Sequence, residues 1–426
     1  MANPPRTENP LWTPDQAAAE RLSLRLIERA DVRAAREAQR TAMRADPLAA
    51  TVDGIAGLDR ALDQWVLGLA MREANGDPAD PKVVWNISNA PRNWFGHVYQ
   101  GAAVAIDNPD NFNREIPIDG DGNYEITIWF SQDPPQLSIV LEVEPDHHAG
   151  LGRNLGAFTL QDLRDPEAPT DPVVVTIGPG EGGRHHLRSE AGKQHQVYTR
   201  DSQRDWNQIP AQVTVRRVDP PAGHVPRTED EIAAMVIADM PAWVHFWSHF
   251  KDDFLGLPEP HKLVGPNGRD GGWGYLAGGR FRLGDGKALL VTIDPAGSYY
   301  SGFQIADPWT ISPDPMVRLV SLNSTQVVAS PDGTQSYVLS AVDPGVVNWI
   351  DTTNLTEGWM MIRWQGVPAT ADPATFIRTV QEFELADVAI AVPANVPRID
   401  IGGRRAQLVK RARDHGTRTR AAEWLP

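Results

Sequence analysis

Short hydrophobic runs separated by turn signals dominate the later part of the chain. Between residues 271 and 366, runs of apolar, β-branched and aromatic residues are interrupted by Gly-Asp-Gly, Pro-Asp-Gly and Asp-Pro-Gly. This pattern is typical of antiparallel strands joined by tight turns, and it does not have the spacing of helices. We therefore predict a β-sandwich over residues 261–370.

An alternation of apolar and polar residues, which is the pattern of a strand, occurs earlier in the chain. Residues 124–129 alternate in polarity directly after an Asp-Gly-Asp-Gly turn, which indicates a hairpin. Residues 137–143, 173–177 and 212–218 read as further strands. We interpret residues 81–225 as a first β-sandwich domain.

Helical signals stand before, between and after these regions. Capping boxes at residues 13–16 and 228–231 open helices in an N-terminal segment, residues 1–80, and in an amphipathic connector, residues 226–260. Residues 371–426 are predicted as a C-terminal helical and basic tail, with helix over 373–385. The predicted fold class is mainly β with helical additions, in which two antiparallel jelly-roll-like sandwiches are linked by an amphipathic helix.

Composition excludes several classes of function. The chain has 426 residues, a net charge of −15 and no cysteine. The negative charge disfavours nucleic acid and anionic membranes as partners, and the lack of cysteine excludes thiolate catalysis and disulfides. No signal peptide and no transmembrane stretch is visible, so we expect a cytoplasmic protein.

The segments at the two ends of the chain suggest an oligomer. The tail from residue 398 to 420 is rich in Lys and Arg although the whole chain is acidic. We expect this tail to dock on an acidic face of the protein's own homo-oligomer, and the alternative is an anionic partner. The N-terminal helices are also expected to serve subunit contacts.

Three segments of the second half together resemble a known family. They are a tyrosine-rich stretch with a following Asp at 298–307, an Asp-Gly hairpin at 330–345, and Asn-Trp followed by Arg at 348–363. Their order resembles the bacterial domain-of-unknown-function family twelve-fourteen, often paired with family twelve-fifty-four, and the match is best over residues 271–366. The resemblance implies a double jelly roll that commonly forms an oligomer, and it implies no settled reaction.

The first candidate site combines a histidine, acids, an arginine and aromatic residues: Trp94, His97, Tyr99, Asp107, Asp110 and Arg114. His97 is the predicted general acid or base, tuned by Asp110 or Asp107, while Arg114 holds an anionic or carbonyl oxygen of the substrate. Trp94 and Tyr99 are the predicted substrate contacts. The alternative is structural: Asp110 caps a turn and pairs with Arg114, and His97 is an ordinary core or edge residue.

A second candidate site lies in the later sandwich. Its predicted substrate-binding residues are Tyr299, Tyr300, Trp309, Trp349, Asp351 and Arg363. The aromatic residues would line an apolar cavity, and the acid and the arginine would be its polar groups. The alternative is a filled sandwich core with buried Arg–Asp pairs.

No metal and no cofactor are predicted. His245 and His249 have the spacing of metal ligands on a helix, but residue 246 is Phe where the HExxH motif requires Glu. The pairs at 147–148 and 185–186 lie in loops without a recognisable order of ligands. Phosphate-loop, dinucleotide-binding and GxSxG sequences are also absent from the chain.

These observations favour a cofactor-independent enzyme that acts on a small hydrophobic metabolite, such as a terpenoid, a steroid or an aromatic compound. The predicted reaction is a hydration, dehydration or isomerisation by acid–base chemistry. The alternative is a non-enzymatic ligand-binding or structural assembly protein built from jelly rolls.

Overall fold

The computed structural model describes residues 9–88, 90–94, 97–129, 136–165, 167–168, 172–269 and 271–419. Its α-helices are α1 (Pro14–Glu28), α2 (Ala30–Arg44), α3 (Val52–Ala74), α4 (Leu160–Leu163), α5 (Glu229–Leu255), α6 (Val388–Ala391) and α7 (Ile401–Thr419). Short 3-10 helices span Pro47–Ala50, Asp146–His148, Pro373–Thr375 and Leu385–Asp387.

The strands before α5 are β1 (Val84–Ile87), β2 (Arg92–Trp94), β3 (His97–Tyr99), β4 (Asn111–Asp119), β5 (Tyr124–Trp129), β6 (Gln136–Val143), β7 (Arg153–Thr159), β8 (Val173–Gly178), β9 (His186–Arg188), β10 (Gln194–Ser202) and β11 (Gln212–Arg217). Those after it are β12 (Leu263–Gly268), β13 (Tyr275–Arg282), β14 (Lys287–Ile293), β15 (Tyr300–Ala306), β16 (Ser321–Asn323), β17 (Gln335–Ser340), β18 (Trp349–Asp351), β19 (Glu357–Gln365) and β20 (Ile377–Glu384). The chain is therefore mainly β with helices.

The larger sheets form two face-to-face pairs. Before α5, a five-stranded sheet of order β1-β4-β10-β6-β7 packs on a four-stranded sheet of order β11-β5-β8-β9. After α5, a five-stranded sheet of order β12-β13-β19-β15-β16 packs on a four-stranded sheet of order β18-β17-β14-β20. Each pair encloses its own hydrophobic core, because apolar side chains from both sheets of the pair point into the space between them.

Both predicted capping signals begin helices. The Thr13 side chain accepts a hydrogen bond from the backbone N–H of Gln16 at 3.1 Å and caps α1. Thr228 and Glu231 form a complete capping box at the start of α5. In each case local side-chain chemistry satisfies N–H groups that have no partner inside the helix.

The N-terminal helices pack against α5 and against loops of both halves. Three buried tryptophans hold this cluster through backbone carbonyls: Trp65 donates to Val104 at 2.8 Å, Trp243 to Trp65 at 2.8 Å and Trp309 to Gly54 at 2.7 Å. The apolar face of α1–α3 is thus covered within one chain. A role of these helices in subunit contacts stays a prediction.

Helix α7 docks on its own chain. Arg404 pairs with Asp343 at 2.8 Å, the buried Arg411 donates to the Ser321 hydroxyl at 2.8 Å, and the buried Arg418 donates to the backbone carbonyl of Asn111 at 2.7 Å. These three arginines contact residues of their own chain. For them, the expectation that the basic tail docks on another subunit is wrong.

The helix predicted over 373–385 is wrong. Residues Ile377–Glu384 form strand β20, which pairs antiparallel with β14 and extends the second four-stranded sheet beyond residue 370. Ile377, Thr379 and Val380 are β-branched and suit a strand, and β14 offers an edge to pair with. Among the described residues, no helix combines the length and the apolar character needed to cross a lipid bilayer.

Candidate functional site

A cleft of about 390 Å³ lies between the two five-stranded sheets, with the C-terminal half of α5 along one side. Strands β4, β6 and β10 contribute one wall, and α5 together with residues of β13 and β19 contributes the other. A volume of this size is within the range of small-molecule sites. The site is therefore formed where the two halves of the chain meet.

Strand periodicity produces the polar wall. In β4, β6 and β10 alternate residues face the core of the first pair of sheets, and the residues between them face the cleft. The cleft-facing polar residues of these strands are Asn111, Asn113, Glu115, Glu142, Gln196, Tyr198 and Arg200. A sheet face that would meet water in an isolated sandwich is here covered by the second half of the molecule.

Helical periodicity produces the aromatic wall. Trp243, Trp247, Phe250 and Phe254 follow one another at intervals of four, three and four residues, so they share one face of α5. Trp273 and Tyr275 from the second half extend this apolar surface. The cleft is consequently aromatic on one side and charged or amide-bearing on the other.

The carboxylates at one end of the polar wall are paired with an arginine. Arg72 of α3 donates to the Tyr198 hydroxyl at 2.7 Å, forms an ion pair with Glu144, and lies 3.5 Å from Glu115 Oε2. Burial by itself would lower the pKa of Arg72, but Glu144, Tyr198 and Glu115 raise it, so the group stays charged. Burial also raises the pKa of Tyr198, which stays protonated.

Glu142 and Arg200 are not part of the network of hydrogen bonds and ion pairs around Arg72. Within the described part of the chain, neither side chain has a protein hydrogen bond or a close ion pair, although both line the cleft. Burial raises the pKa of the Glu142 carboxyl, against the opposing effect of Arg200. The Arg200 guanidinium lies 5.1 Å from the centre of the Trp273 ring and 5.4 Å from that of Tyr198. These two groups are available to a bound molecule.

A second carboxyl–arginine combination lines the cleft. The buried Asp107 accepts a hydrogen bond from the backbone N–H of Val104 at 2.6 Å, and burial raises its pKa to about 7. Arg363 of β19 donates to the side chain of Gln304 and to the backbone carbonyl of Ile106. Burial lowers the pKa of Arg363, while nearby Tyr300 and Asp107 raise it.

Among the residues predicted from sequence, Asp107 and Arg363 line the cleft, and the roles predicted for them stay predictions. Asp110 lies elsewhere, in a buried network where it accepts hydrogen bonds from Trp206, from Asn323 at 2.9 Å and from Tyr300 at 2.8 Å. These contacts tie the two halves of the chain together. They do not support the catalytic role of Asp110 or the substrate-binding role of Tyr300.

Arg114 is also occupied within the protein. It donates to the backbone carbonyl of Ala211 at 2.7 Å and lies 3.8 Å from Asp201, so its expected pairing with Asp110 is wrong. The side chains of Trp94 and His97 lie outside the described residues, and the backbones of these two residues pair in the β2–β3 hairpin. The proton-transfer role of His97 therefore stays a prediction.

The other predicted substrate contacts are in structural settings outside the lining of the cleft. Tyr99 is buried with Arg92 stacked 4.2 Å from its ring centre, and Arg204 stacks on Tyr299 at 4.3 Å. The indole of Trp349 donates to a backbone carbonyl, as that of Trp309 does, and Asp351 pairs with Arg318 at 2.6 Å. Trp309 and Trp349 are buried as the filled-core alternative for the second sandwich expects, whereas the arginine paired with Asp351 is the 44% exposed Arg318 and not Arg363.

One group of side chains with metal-ligand chemistry was found among the described residues. Glu73, His148 and Asp239 bring one ligand atom each to within 4.8 Å of one another, and His148 also lines the cleft. The spacing of these residues along the chain carries no recognisable motif, so the sequence offered no signal for the group. The exposed His245 and the partly exposed His249 stack on each other, with 4.4 Å between ring centres, apart from this group.

The chain is a mainly β protein with sandwich-like sheets and a cleft that has one aromatic and one polar wall. No family model matches the chain, and no curated protein matches it. The resemblance to family twelve-fourteen accordingly stays a prediction.

Solved structures do resemble this chain. An uncharacterized protein from Burkholderia cenocepacia superimposes with a TM-score of 0.65 at 20% identity, covering 87% of this chain and 96% of that chain. A protein from Vibrio parahaemolyticus has a TM-score of 0.38 at 11% identity, covering 65% of this chain and 89% of that chain, and is too distant to support an argument. The first likeness shows a shared fold and indicates nothing about function.

Proposed function

We propose that the protein binds a small molecule with a hydrophobic body and an anionic or carbonyl group in the cleft, and converts it by acid–base chemistry. The reaction class is a hydration, dehydration or isomerisation without an organic cofactor. The observation that carries this proposal is the pairing of an aromatic wall with a polar wall around about 390 Å³ of space.

The hydrophobic body of the ligand would lie against the aromatic face of α5. Trp247, Phe250 and Phe254 present ring surface to the cleft, and aromatic rings bind flat apolar groups with little loss of side-chain entropy. This wall favours ring-containing or branched hydrocarbon skeletons over polar metabolites.

The polar group of the ligand would lie near Arg200. Its guanidinium is held beside Trp273 by stacking, and its N–H donors have no protein acceptor within the described residues. An arginine fixed in this way binds carboxylate or carbonyl oxygens well, because its donors are already oriented.

Glu142 is the proposed proton-transfer group. Burial raises the pKa of its carboxyl, which favours the protonated form and suits a group that gives and takes a proton. Asp107, with a pKa of about 7, is a second such group on the same cleft. Glu142 and Asp107 are thus the acid–base candidates among the described side chains, and the role of His97 stays a prediction.

We further propose that the two pairs of sheets are jelly rolls connected by α5. The long α5 lies between them in the chain, and nearly all strand pairings are antiparallel, with parallel pairs only at β8–β9 and β17–β18 among the described residues. A homo-oligomer and a cytoplasmic location complete the proposal as predictions from the sequence.

Mass spectrometry of small molecules that co-purify with the full chain would supply the substrate for a turnover assay. Glu142→Gln should then lower turnover by about 10²–10⁴-fold, as is typical for loss of a general acid or base. The matched control is Glu181→Gln, whose carboxylate is exposed and lies in a loop away from the cleft. Equal turnover in wild type and Glu142→Gln would refute the catalytic part of the proposal, and unchanged binding with no turnover at all would indicate the non-enzymatic alternative.

A further inference from the structure

Three acidic or imidazole side chains from three separate elements converge beside the cleft. Glu73 belongs to the last turn of α3, His148 to the 3-10 helix Asp146–His148, and Asp239 to α5. His148 Nε2 lies 2.7 Å from Glu73 Oε1 and 3.7 Å from Asp239 Oδ2. The side chain of Glu73 is 3% exposed, that of Asp239 is 13% exposed and that of His148 is 14% exposed. Water therefore screens their charges poorly.

The charges in this cluster are unbalanced when His148 is neutral. Glu73 and Asp239 then face an uncharged His148 ring, with His147 on the other oxygen of Asp239, and the neighbouring Arg72 is already engaged by Glu144 and Tyr198. The Asp239 carboxylate accepts a hydrogen bond from His147 Nδ1 through Oδ1 at 2.6 Å, which leaves Asp239 Oδ2 facing His148. A buried pair of carboxylates is stabilised either by protonated histidines or by a bound cation.

A second observation concerns the other nitrogen of the His148 ring. Nδ1 is buried and makes no hydrogen bond, and it lies 3.4 Å from Glu144 Oε2. A histidine that binds metal through one nitrogen usually directs the other towards a carboxylate or carbonyl oxygen, which fixes its tautomer. Trp243 packs edge-on against the same ring, with 6.0 Å between centres, and restricts its rotation.

We propose that Glu73, His148 and Asp239 bind one divalent transition-metal ion through Oε1, Nε2 and Oδ2, with Glu144 orienting His148. Ligand atoms around a tetrahedral ion with bonds of about 2.1 Å are about 3.4 Å apart, and the present separations of 2.7 and 3.7 Å lie on either side of that value. One nitrogen and two oxygen ligands favour Zn²⁺ or Mn²⁺ over Ca²⁺ and Mg²⁺.

This site goes beyond the function proposed above and does not depend on it. The ion would join α3, α5 and the 146–148 turn, and it would lie beside the cleft because His148 and Glu144 both line it. It also differs from the sequence-based expectation of no metal, which considered the histidine pairs and not the distant acids.

The test is calorimetric titration of the full chain, after treatment with EDTA, using ZnCl₂ and MnCl₂ in turn. One equivalent of at least one of these ions should bind, and MgCl₂ should bind more weakly. In Glu73→Gln/Asp239→Asn, affinity should fall by more than about 100-fold, because loss of an outer-shell partner alone typically costs about 10–100-fold. The control His245→Ala/His249→Ala removes the stacked histidine pair and should keep the binding.

Absence of binding by both ions, or loss of binding only in the His245→Ala/His249→Ala control, would overturn the proposal. Circular dichroism decides whether the double variant folds. Where it does not fold, Co²⁺ titration of the wild type replaces it: a visible spectrum of one Co²⁺ with nitrogen and oxygen ligands, displaced by Zn²⁺ and retained in the control variant, supports the site. A spectrum that is absent, or that disappears in the control variant, contradicts it.

Discussion

The acids Asp110 and Glu142 differ in their hydrogen bonds, and this difference distinguishes a structural acid from a candidate functional one. Asp110 accepts hydrogen bonds from three side chains and is fully used in joining the two halves. Glu142 has no hydrogen-bond partner within the described residues and faces a cleft. Glu142 is partly buried. Withdrawing a carboxyl from water costs free energy when no protein donor replaces the water, so its position in the cleft is a reason to expect a ligand there.

The side chain of Asp107 predicts how the stability of the fold changes with pH. Its pKa is raised by burial from 3.8 to about 7 in the folded protein. The folded state therefore holds a proton that the unfolded chain has lost between these two values, so stability falls as pH rises from about 4 to about 7. At 1.36 kcal/mol per pKa unit, the loss is at most about 4 kcal/mol above pH 7.

Asp107→Asn removes this titration and should keep the hydrogen bond from Val104, because an amide oxygen also accepts. Urea unfolding at pH 5 and pH 8 should show the variant gaining stability relative to wild type as pH rises. Asp253→Asn, at an exposed position at the end of α5, is the control and should show no such gain. A difference that does not change with pH would mean that Asp107 is ionised in the fold at both values.

Among the elements, α5 and α7 define the environment of the cleft in different ways. Helix α5 supplies the aromatic wall, because its large rings share one face. Helix α7 is polar overall, yet it buries arginines against backbone and hydroxyl oxygens. One of these oxygens is the backbone carbonyl of Asn111 in β4, a strand that forms part of the cleft wall. Buried arginines of this kind hold neighbouring segments in place through hydrogen bonds and stacking.

Removal of α7 is therefore expected to destabilise the protein itself. A chain ending at residue 400 loses the contacts of Arg404, Arg411 and Arg418, and hydrogen bonds to charged groups contribute about 1.5–3 kcal/mol each. Chemical unfolding should show a loss of about 3 kcal/mol or more, together with a lower melting temperature. The triple variant Arg405→Ala/Lys410→Ala/Arg413→Ala, which changes other basic residues of α7, is the control. Unchanged stability in the truncated chain would restore the view that the tail serves an external partner.

Across the whole molecule, much of the architecture could be predicted from the sequence. Capping boxes, alternation and turn residues are local signals, and they placed α1, α5 and the strands β5, β6, β8 and β11 correctly. Strand β20 was missed because its conformation depends on the open edge of β14, a tertiary effect that short-range patterns do not contain.

The candidate site was much harder to predict, for a physical reason. Its polar wall consists of residues such as Glu142, Tyr198 and Arg200, which alternate with core residues exactly as a solvent-exposed sheet face would. Only the packing of the second half against this face turns it into a cleft wall. Aromatic residues such as Trp309 attracted attention in the sequence because of their type, whereas the fold uses them as core.

Binding of an aromatic or branched apolar anion in the cleft can be measured by a fluorescence titration. The probe is 1-anilinonaphthalene-8-sulfonate, an aromatic anion whose emission rises in apolar surroundings. We predict saturable binding of one equivalent to the natively folded chain, at least about tenfold weaker in Arg200→Glu, since reversing a charge that contacts the ligand costs well over 1.4 kcal/mol. Arg188→Glu, at an exposed position outside the cleft, should bind like wild type. Absence of saturable binding, or equal affinity in wild type and Arg200→Glu, would contradict the account.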